Sequence, residues 1–220
     1  MKKIFAVLLV LSLSLVSLSS LASGFGFGDM FSGTSVKVNY PKEFRIAYEM
    51  EDGGRFVRVS LARDAKGNIH YTDRDSECLF VKSGKGYKYA VRTTKGFVLM
   101  NNDVYSWNYL RDKTDAFWRM AEPFEEYSLG KTEITGSGTV VGRKTKTYTN
   151  TYGFSYSLSG MDMSLGESTV YEIDEETGIC LAMSETSGSS IGGYRTNDSG
   201  AQFECVEFET TNITLPEVTD

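Results

Sequence analysis

The sequence predicts a mainly β protein: a curled antiparallel meander sheet that forms an incomplete (half) β-barrel, covered by a short helical segment. Apolar and polar residues alternate along most of the chain, which is the pattern of strands with one buried face. Turn residues recur roughly every ten positions, as in a series of hairpins. The composition agrees, since the 220 residues include 13 Phe and 13 Tyr with 22 Gly and only 3 Pro. Strand twist accumulates over so many strands, so the sheet should curl.

Residues 1–22 have the pattern of a secretory signal peptide. Lys2 and Lys3 precede a short apolar run at 4–16, and small residues up to Ala22 offer a cleavage site. Gly24 stands where a bacterial lipoprotein would carry its lipid-bearing cysteine. We therefore expect export across the cytoplasmic membrane, to the periplasm or the extracellular space. The product should be soluble and should not span a membrane, because the run is too short for a stable span.

The part of the chain after the signal peptide divides into a flexible Gly/Phe-rich segment at 23–42 and a single β domain at 43–217. In the first strand, at 43–50, Phe44, Ile46 and Tyr48 share one face. A turn at 51–54 leads to a strand whose apolar positions are Val57, Val59 and Leu61, and a second turn follows at 64–67. Three further strands are predicted, at about 68–74, 77–83 and 86–93.

The alternation breaks between Leu110 and Leu129, where apolar residues follow helical spacing. Phe117, Ala121 and Phe124 would lie on one helix face, with Thr114 or Asp115 as the N-cap. Pro123 cannot sit inside a continuous helix without loss of a hydrogen bond. We therefore expect a kink or two short helices.

Strands resume after the helical segment. The loop at 174–178 should be a hairpin turn in which Gly178 takes the left-handed conformation. The segment at 188–201 is rich in Ser, Gly and Thr and is predicted to be a loop. The predicted strands of this half are 131–136, 139–149, 154–158, 168–174, 179–187 and 202–211.

Three stretches resemble the LolA/LolB-like superfamily of periplasmic lipoprotein carriers. Residues 139–148 (TVVGRKTKTY) are similar to one of its strands, 171–181 (YEIDEETGICL) to its hairpin, and 203–216 to its closing strand. The likeness spans roughly 43–217. It implies an incomplete antiparallel barrel, plugged by helices, whose apolar concave side takes lipid acyl chains or lipoproteins. No residue of this chain is assigned to the ligand-gating arginine of the lipoprotein carriers.

The charge of the chain bears on its partners. Two of the 23 basic residues and none of the 29 acidic ones precede residue 23, which leaves 21 against 29 and a net charge of −8. Such a surface repels phosphate backbones, so we expect no nucleic-acid partner. The expected partner is a lipid or lipoprotein-like hydrophobic ligand, with an envelope protein as the alternative, and the expected oligomeric state is a monomer.

Residues that could carry catalysis or bind a metal are few. His70 is the only histidine and is predicted to be an exposed strand residue. Ser128 begins a Ser-x-x-Lys pattern, but the Lys-Thr-Gly that should accompany it does not occur in the sequence. Three carboxylates at 174–176 could hold calcium, although a solvated hairpin tip explains them better. We therefore predict no enzyme activity, no catalytic residues, no metal and no cofactor.

The three cysteines, Cys78, Cys180 and Cys205, are an odd number for an exported chain. Cys180 and Cys205 fall on strands that should pair. A hairpin centred near residue 194 would place them about three residues out of register, which disfavours a disulfide. Small buried thiols are the favoured interpretation.

The aromatic residues of the interior allow two interpretations. They could pack a closed core, or they could line a cavity for an apolar ligand. The nine candidate ligand-binding residues are Phe44, Tyr48, Phe80, Tyr87, Tyr89, Trp107, Phe117, Trp118 and Phe124. The leading hypothesis is a non-catalytic binding protein for a lipid or other hydrophobic ligand. The second is a cell-envelope interaction or sensing module that uses the same sheet face, and a hydrolase ranks last.

Overall fold

In the part of the chain that the structure describes, the fold is a single open β-sheet with two short helices, which confirms the predicted fold class. The computed structural model describes residues 31–32, 36–52, 54–123, 130–158, 161–191 and 194–219. The strands are β1 (Phe31–Ser32), β2 (Phe44–Asp52), β3 (Arg55–Arg63), β4 (Ile69–Thr72), β5 (Glu77–Ser83), β6 (Gly86–Thr93), β7 (Gly96–Leu99), β8 (Gly130–Val140), β9 (Arg143–Leu158), β10 (Met161–Asp174), β11 (Cys180–Ile191) and β12 (Tyr194–Glu209). The helices are α1 (Trp107–Lys113) and α2 (Asp115–Ala121).

The strand order in the sheet is β1-β8-β9-β10-β11-β12-β2-β3-β4-β5-β6-β7. All described pairs are antiparallel except the short β1–β8 pair. The pairing of β12 with β2 joins two meanders, with Phe203 opposite Met50 and Cys205 opposite Tyr48. β1 and β7 lie at opposite ends of the order, so the curled sheet stays open as a half-barrel.

Two short helices form, which is one of the two predicted outcomes. α2 begins at Asp115 with the predicted N-cap Thr114, whereas α1 begins before the predicted helical segment. Ser106 caps α1 by accepting a hydrogen bond from the Tyr109 amide, so the helix starts at Trp107. The break falls at Thr114, not at Pro123. Thr114 leaves the helical conformation at φ −119°, ψ 24° and serves both as C-cap of α1 and as N-cap of α2. Residues 124–129 of the predicted helix lie outside the described residues.

The strands of the second meander are longer than predicted. The predicted breaks at 137–138 and 150–153 are wrong, because β8 and β9 continue through them. The predicted loop at 188–201 is wrong for its described residues, because 188–191 pair with 194–197. Gly153 lies opposite Gly166, and Gly188 lies opposite Asn197. Ser, Thr and Gly read locally as loop residues, but a strand that is already paired at one end extends along its neighbour in register.

The core lies where the helices cover the concave face of the sheet. Ile46 and Tyr48 are fully buried on that face, and Phe117 of α2 packs on Tyr48 with 5.6 Å between ring centroids. The Tyr48 hydroxyl donates a 2.7 Å hydrogen bond to the Cys180 carbonyl oxygen. This bond satisfies a buried polar group and ties β2 to β11 across β12. Neither helix of the described ranges has the length and apolar character needed to cross a membrane.

A segment at 36–40 crosses the β10–β11 turn and is fixed there. The Asn39 amide donates to the Thr177 carbonyl oxygen at 2.7 Å. Gly178 has φ +75°, as predicted, and a Cβ atom at this position would lie 2.4 Å from the Lys37 carbonyl oxygen. Only glycine allows the segment to pass so close.

Gly178→Ala should therefore destabilise the protein more than Gly142→Ala. Gly142 has nearly the same backbone conformation, φ +77°, but a Cβ atom added there would have no neighbouring atom within 4 Å. The left-handed conformation alone costs a non-glycine residue about 1–2 kcal/mol. Gly178→Ala should lose about 1–3 kcal/mol more, because segment 36–40 must move. Urea titrations give the free energy of unfolding of each variant. Equal losses of stability in the two variants would contradict the close approach of the Lys37 carbonyl to Gly178.

Candidate ligand-binding cavity

A cavity of about 430 Å³ lies between segment 36–40, the two helices and the adjoining ends of β2, β3 and β4. Its walls are mainly apolar. Among its lining residues, Lys37 and Trp107 are exposed, so the mouth of the cavity lies between segment 36–40 and α1. The lining residues are Val36, Lys37, Val38, Tyr40, Phe44, Arg63, Ile69, Trp107, Arg111, Trp118 and Glu122.

Trp118 is the central aromatic residue of the cavity wall. Its ring centroid lies 5.5 Å from Tyr40 and 5.7 Å from Trp107 in edge-on contacts. Its Nε1 donates a 2.7 Å hydrogen bond to Thr114 Oγ1, which in turn donates to the Leu110 carbonyl oxygen at 2.8 Å. Trp118 is four residues after Thr114 and so lies one helical turn above it. The indole is therefore held in one orientation.

The cavity also contains charged side chains. Arg111 donates to Glu122 at 2.7 Å, and its guanidinium carbon lies 4.8 Å from the Trp118 ring centroid. The Glu122 side chain is only 5% exposed, so its carboxylate is largely desolvated, whereas Arg111 is partly exposed. Lys37 and Arg63 add two further positive charges to the lining.

Three of the nine predicted ligand-binding residues line the cavity, namely Phe44, Trp107 and Trp118. The remaining described members, Tyr48, Phe80, Tyr87, Tyr89 and Phe117, belong to the core or pack against it, and Phe124 lies outside the described residues. Phe44 and Trp118 are also buried members of the core, so the packed core and the cavity wall share residues.

Most of the cavity lining was not predicted from the sequence. Val36, Val38 and Tyr40 alternate at period two, so their shared direction could have been read from the sequence. Arg63 continues the apolar face of β3 at the same period. A charged residue on this inward face was the signal in the sequence that could have identified Arg63 as a site residue.

His70 lies on the sheet face opposite Ile69 and Tyr71, as predicted, but the prediction that it is exposed is wrong. Its ring packs edge-on against Phe97, 5.5 Å between centroids, and its Nε2 lies 3.1 Å from Glu77 Oε1. The C-terminal segment covers this face, because Val218 packs on the cluster around Phe97. Burial lowers the pKa of His70 and outweighs the hydrogen bond with Glu77, which acts in the opposite direction.

Of the three carboxylates at 174–176, Asp174 is engaged in the fold, whereas Glu175 and Glu176 are exposed at the turn. Asp174 is 2% exposed and accepts two hydrogen bonds from Arg143, at 2.7 and 2.9 Å, and two from Thr177. Burial alone would raise the pKa of Asp174, but these donors outweigh it and lower the pKa. In the described part of the chain, no group of three or more His, Cys, Asp or Glu side chains is placed to hold a metal ion. Ser128 lies outside the described residues.

The three cysteines are buried free thiols. Burial raises the pKa of Cys78 to about 12 and that of Cys205 to about 11, and it raises the pKa of Cys180 as well. A thiol with so high a pKa is a poor nucleophile at neutral pH.

The far halves of β9–β12 extend past the helices and carry a second apolar surface. We call it the exposed strip and define it as Phe154, Leu165, Ile191 and Tyr194, which are 52%, 42%, 48% and 85% exposed. Phe154 pairs with Leu165, and Ile191 pairs with Tyr194. By the alternation along each strand, the strip lies on the same sheet face as the core.

The sequence was also compared with known proteins. No family model matches the chain, and no curated protein matches it either. The likeness to the LolA/LolB-like superfamily stays a prediction that rests on the three sequence stretches.

The lowered pKa of His70 predicts a loss of stability on mild acidification. The unfolded chain binds the proton more readily than the folded one, so the stabilisation is complete above about pH 6.5 and falls as the pH decreases through the folded pKa. His70→Gln should lose less stability between about pH 7.5 and about pH 5.5 than the wild type does. Because His70 is the only histidine, urea titrations of the two proteins isolate its contribution. Equal pH dependence in both would contradict the prediction.

Proposed function

We propose that this protein is an exported, non-catalytic binding protein that holds a lipid or other hydrophobic ligand in the cavity on the concave side of its half-barrel. The observation that carries the proposal is the cavity itself. Its volume of about 430 Å³ lies within the range of small-molecule sites, and its wall is aromatic and aliphatic with a few polar groups.

The walls of the cavity suit an apolar molecule. Trp118 and Tyr40 form a wall that is already fixed by their own contacts, so little ordering is required on binding. Each methylene group that a ligand buries there would contribute about 0.8 kcal/mol. The exposed Trp107 at the mouth allows entry without separation of the sheet.

The remaining parts of the proposal rest on the sequence and the fold. The pattern of residues 1–22 supports export. The half-barrel with helices on its concave face is the architecture that the resemblance to the lipoprotein carriers implies. The raised pKa values of the three thiols and the distance of His70 from the cavity, on the opposite sheet face, support a role without catalysis.

Binding should be visible through the two tryptophans, since Trp107 and Trp118 are the only ones in the chain and both line the cavity. Dodecanoate with bromine on its terminal carbon quenches tryptophan on contact, so titration should give saturable quenching that unbrominated dodecanoate reverses. Val38→Phe, which places a ring in the cavity, should weaken binding by at least about tenfold. Val98→Phe, at an exposed position on β7 outside the cavity, is the matched control and should bind as the wild type does. Unsaturable quenching, or unchanged affinity in Val38→Phe, would argue against the proposal.

The exposed strip favours a second candidate function, a cell-envelope interaction module. Contiguous exposed apolar residues on a sheet face are characteristic of protein-binding surfaces. Leu165 lies at the centre of the strip, beside Phe154. The tagged protein should then enrich one envelope protein at stoichiometric yield, and Leu165→Glu should abolish that enrichment while Val38→Phe leaves it intact. Failure of the wild type to enrich any protein would count against this candidate.

A further inference from the structure

We propose that the ligand of the cavity is an anionic amphiphile, whose carboxylate or phosphate group is bound by the guanidinium of Arg63 while its apolar chain lies against Tyr40 and Trp118. The inference rests on the proposed function and adds the chemical class of the ligand.

Arg63 is a charged residue on an otherwise apolar face of the sheet. It is the last residue of β3, and the period-two apolar face of that strand, with Val59 and Leu61 buried, continues directly into it. Its neighbours across the sheet are Phe44 and Ile69, both buried and both in the cavity lining. The strand therefore carries a guanidinium onto the apolar concave face, at the cavity wall.

Arg63 also lacks a partner among the residues that the structure describes. Its Nε is buried and makes no hydrogen bond within the described residues. No carboxylate of those residues lies within ion-pair distance of it. Arg58, on the same strand but on the outer face, pairs with Glu49 and Glu207. A buried guanidinium nitrogen is costly to leave without an acceptor, so a bound anion is the group that would satisfy it.

The other charges that face the cavity favour the same sign of ligand. Arg111 and Glu122 neutralise each other through their 2.7 Å hydrogen bond. Arg63 and exposed Lys37 remain, so the lining has an excess of two positive charges. The whole chain carries −6, which makes this a local positive site in an acidic protein. Such a site selects anions from among apolar molecules of similar shape.

The arrangement of groups defines how an amphiphile would lie. A guanidinium binds carboxylate and phosphate oxygens with paired N–H donors, so either head group fits the chemistry of Arg63. The aromatic groups of the same cavity, Tyr40 of segment 36–40 and Trp107 and Trp118 of the helices, would contact the chain. A neutral alcohol of the same chain length would gain the apolar contacts but leave Arg63 without its partner.

The test compares three probes that share one chain and differ in head group: dodecanoate, dodecyl phosphate and dodecanol. Their dissociation constants are measured by tryptophan fluorescence for the wild-type protein, for Arg63→Gln and for the matched control Arg58→Gln. The wild type should bind at least one anionic probe roughly tenfold or more tighter than dodecanol, as expected for a charge-assisted hydrogen bond. The tighter of the two anions identifies the head group.

Arg63→Gln should weaken binding of that anion by about tenfold to a hundredfold and leave dodecanol nearly unchanged, whereas Arg58→Gln should change neither. Arg63→Lys, which keeps the charge but not the paired donors, should retain part of the preference. Equal binding of dodecanol and both anions by the wild type would overturn the inference while the proposed function stands, and this comparison needs no variant. Equal behaviour of Arg63→Gln and Arg58→Gln would also overturn it. Failure of all three probes to bind would overturn the proposed function and this inference with it.

Discussion

Two adjacent residues of α2 cover different parts of the concave face of the sheet, and the rest of the structure depends on this arrangement. Phe117 is fully buried and packs on Tyr48, so it belongs to the closed core. Trp118, whose ring lies 5.1 Å from that of Phe117, faces Tyr40 and the cavity. One turn of helix thus seals one part of the half-barrel and leaves the neighbouring part open. Thr114 fixes the indole that forms one wall of the open volume.

The other wall of the cavity is formed by the segment that precedes β2. Segment 36–40 lies over the β10–β11 turn because the Asn39 amide bonds to Thr177 and because Gly178 leaves room for the Lys37 carbonyl. Asp174 and Arg143 stabilise the same turn from the other side. Packing of this kind is determined by contacts distant in sequence, so the cavity is a property of the assembled domain and not of any one motif.

The local sequence predicted much of the architecture but little of the cavity lining. The alternation of Phe44 and Tyr48 predicted their burial, and the loop sequence predicted the left-handed Gly178. Neighbouring Phe117 and Trp118 have similar apolar character, so only tertiary packing decides which of them faces the cavity. The length of β9–β12 was underestimated for a related reason: residues such as Gly153 and Gly188 have weak strand propensity, and cross-strand pairing overrides it.

The central claim is that an apolar chain lies between segment 36–40 and the two helices. Anomalous scattering from a crystal of the protein grown with terminally brominated dodecanoate tests it most directly, because the bromine position is located without reference to any assumed binding mode. The account predicts a bromine site within van der Waals distance of Tyr40, Trp107 or Trp118. A bromine site on the strip formed by Phe154, Leu165, Ile191 and Tyr194, or no ordered bromine in the cavity at saturating probe, would contradict it.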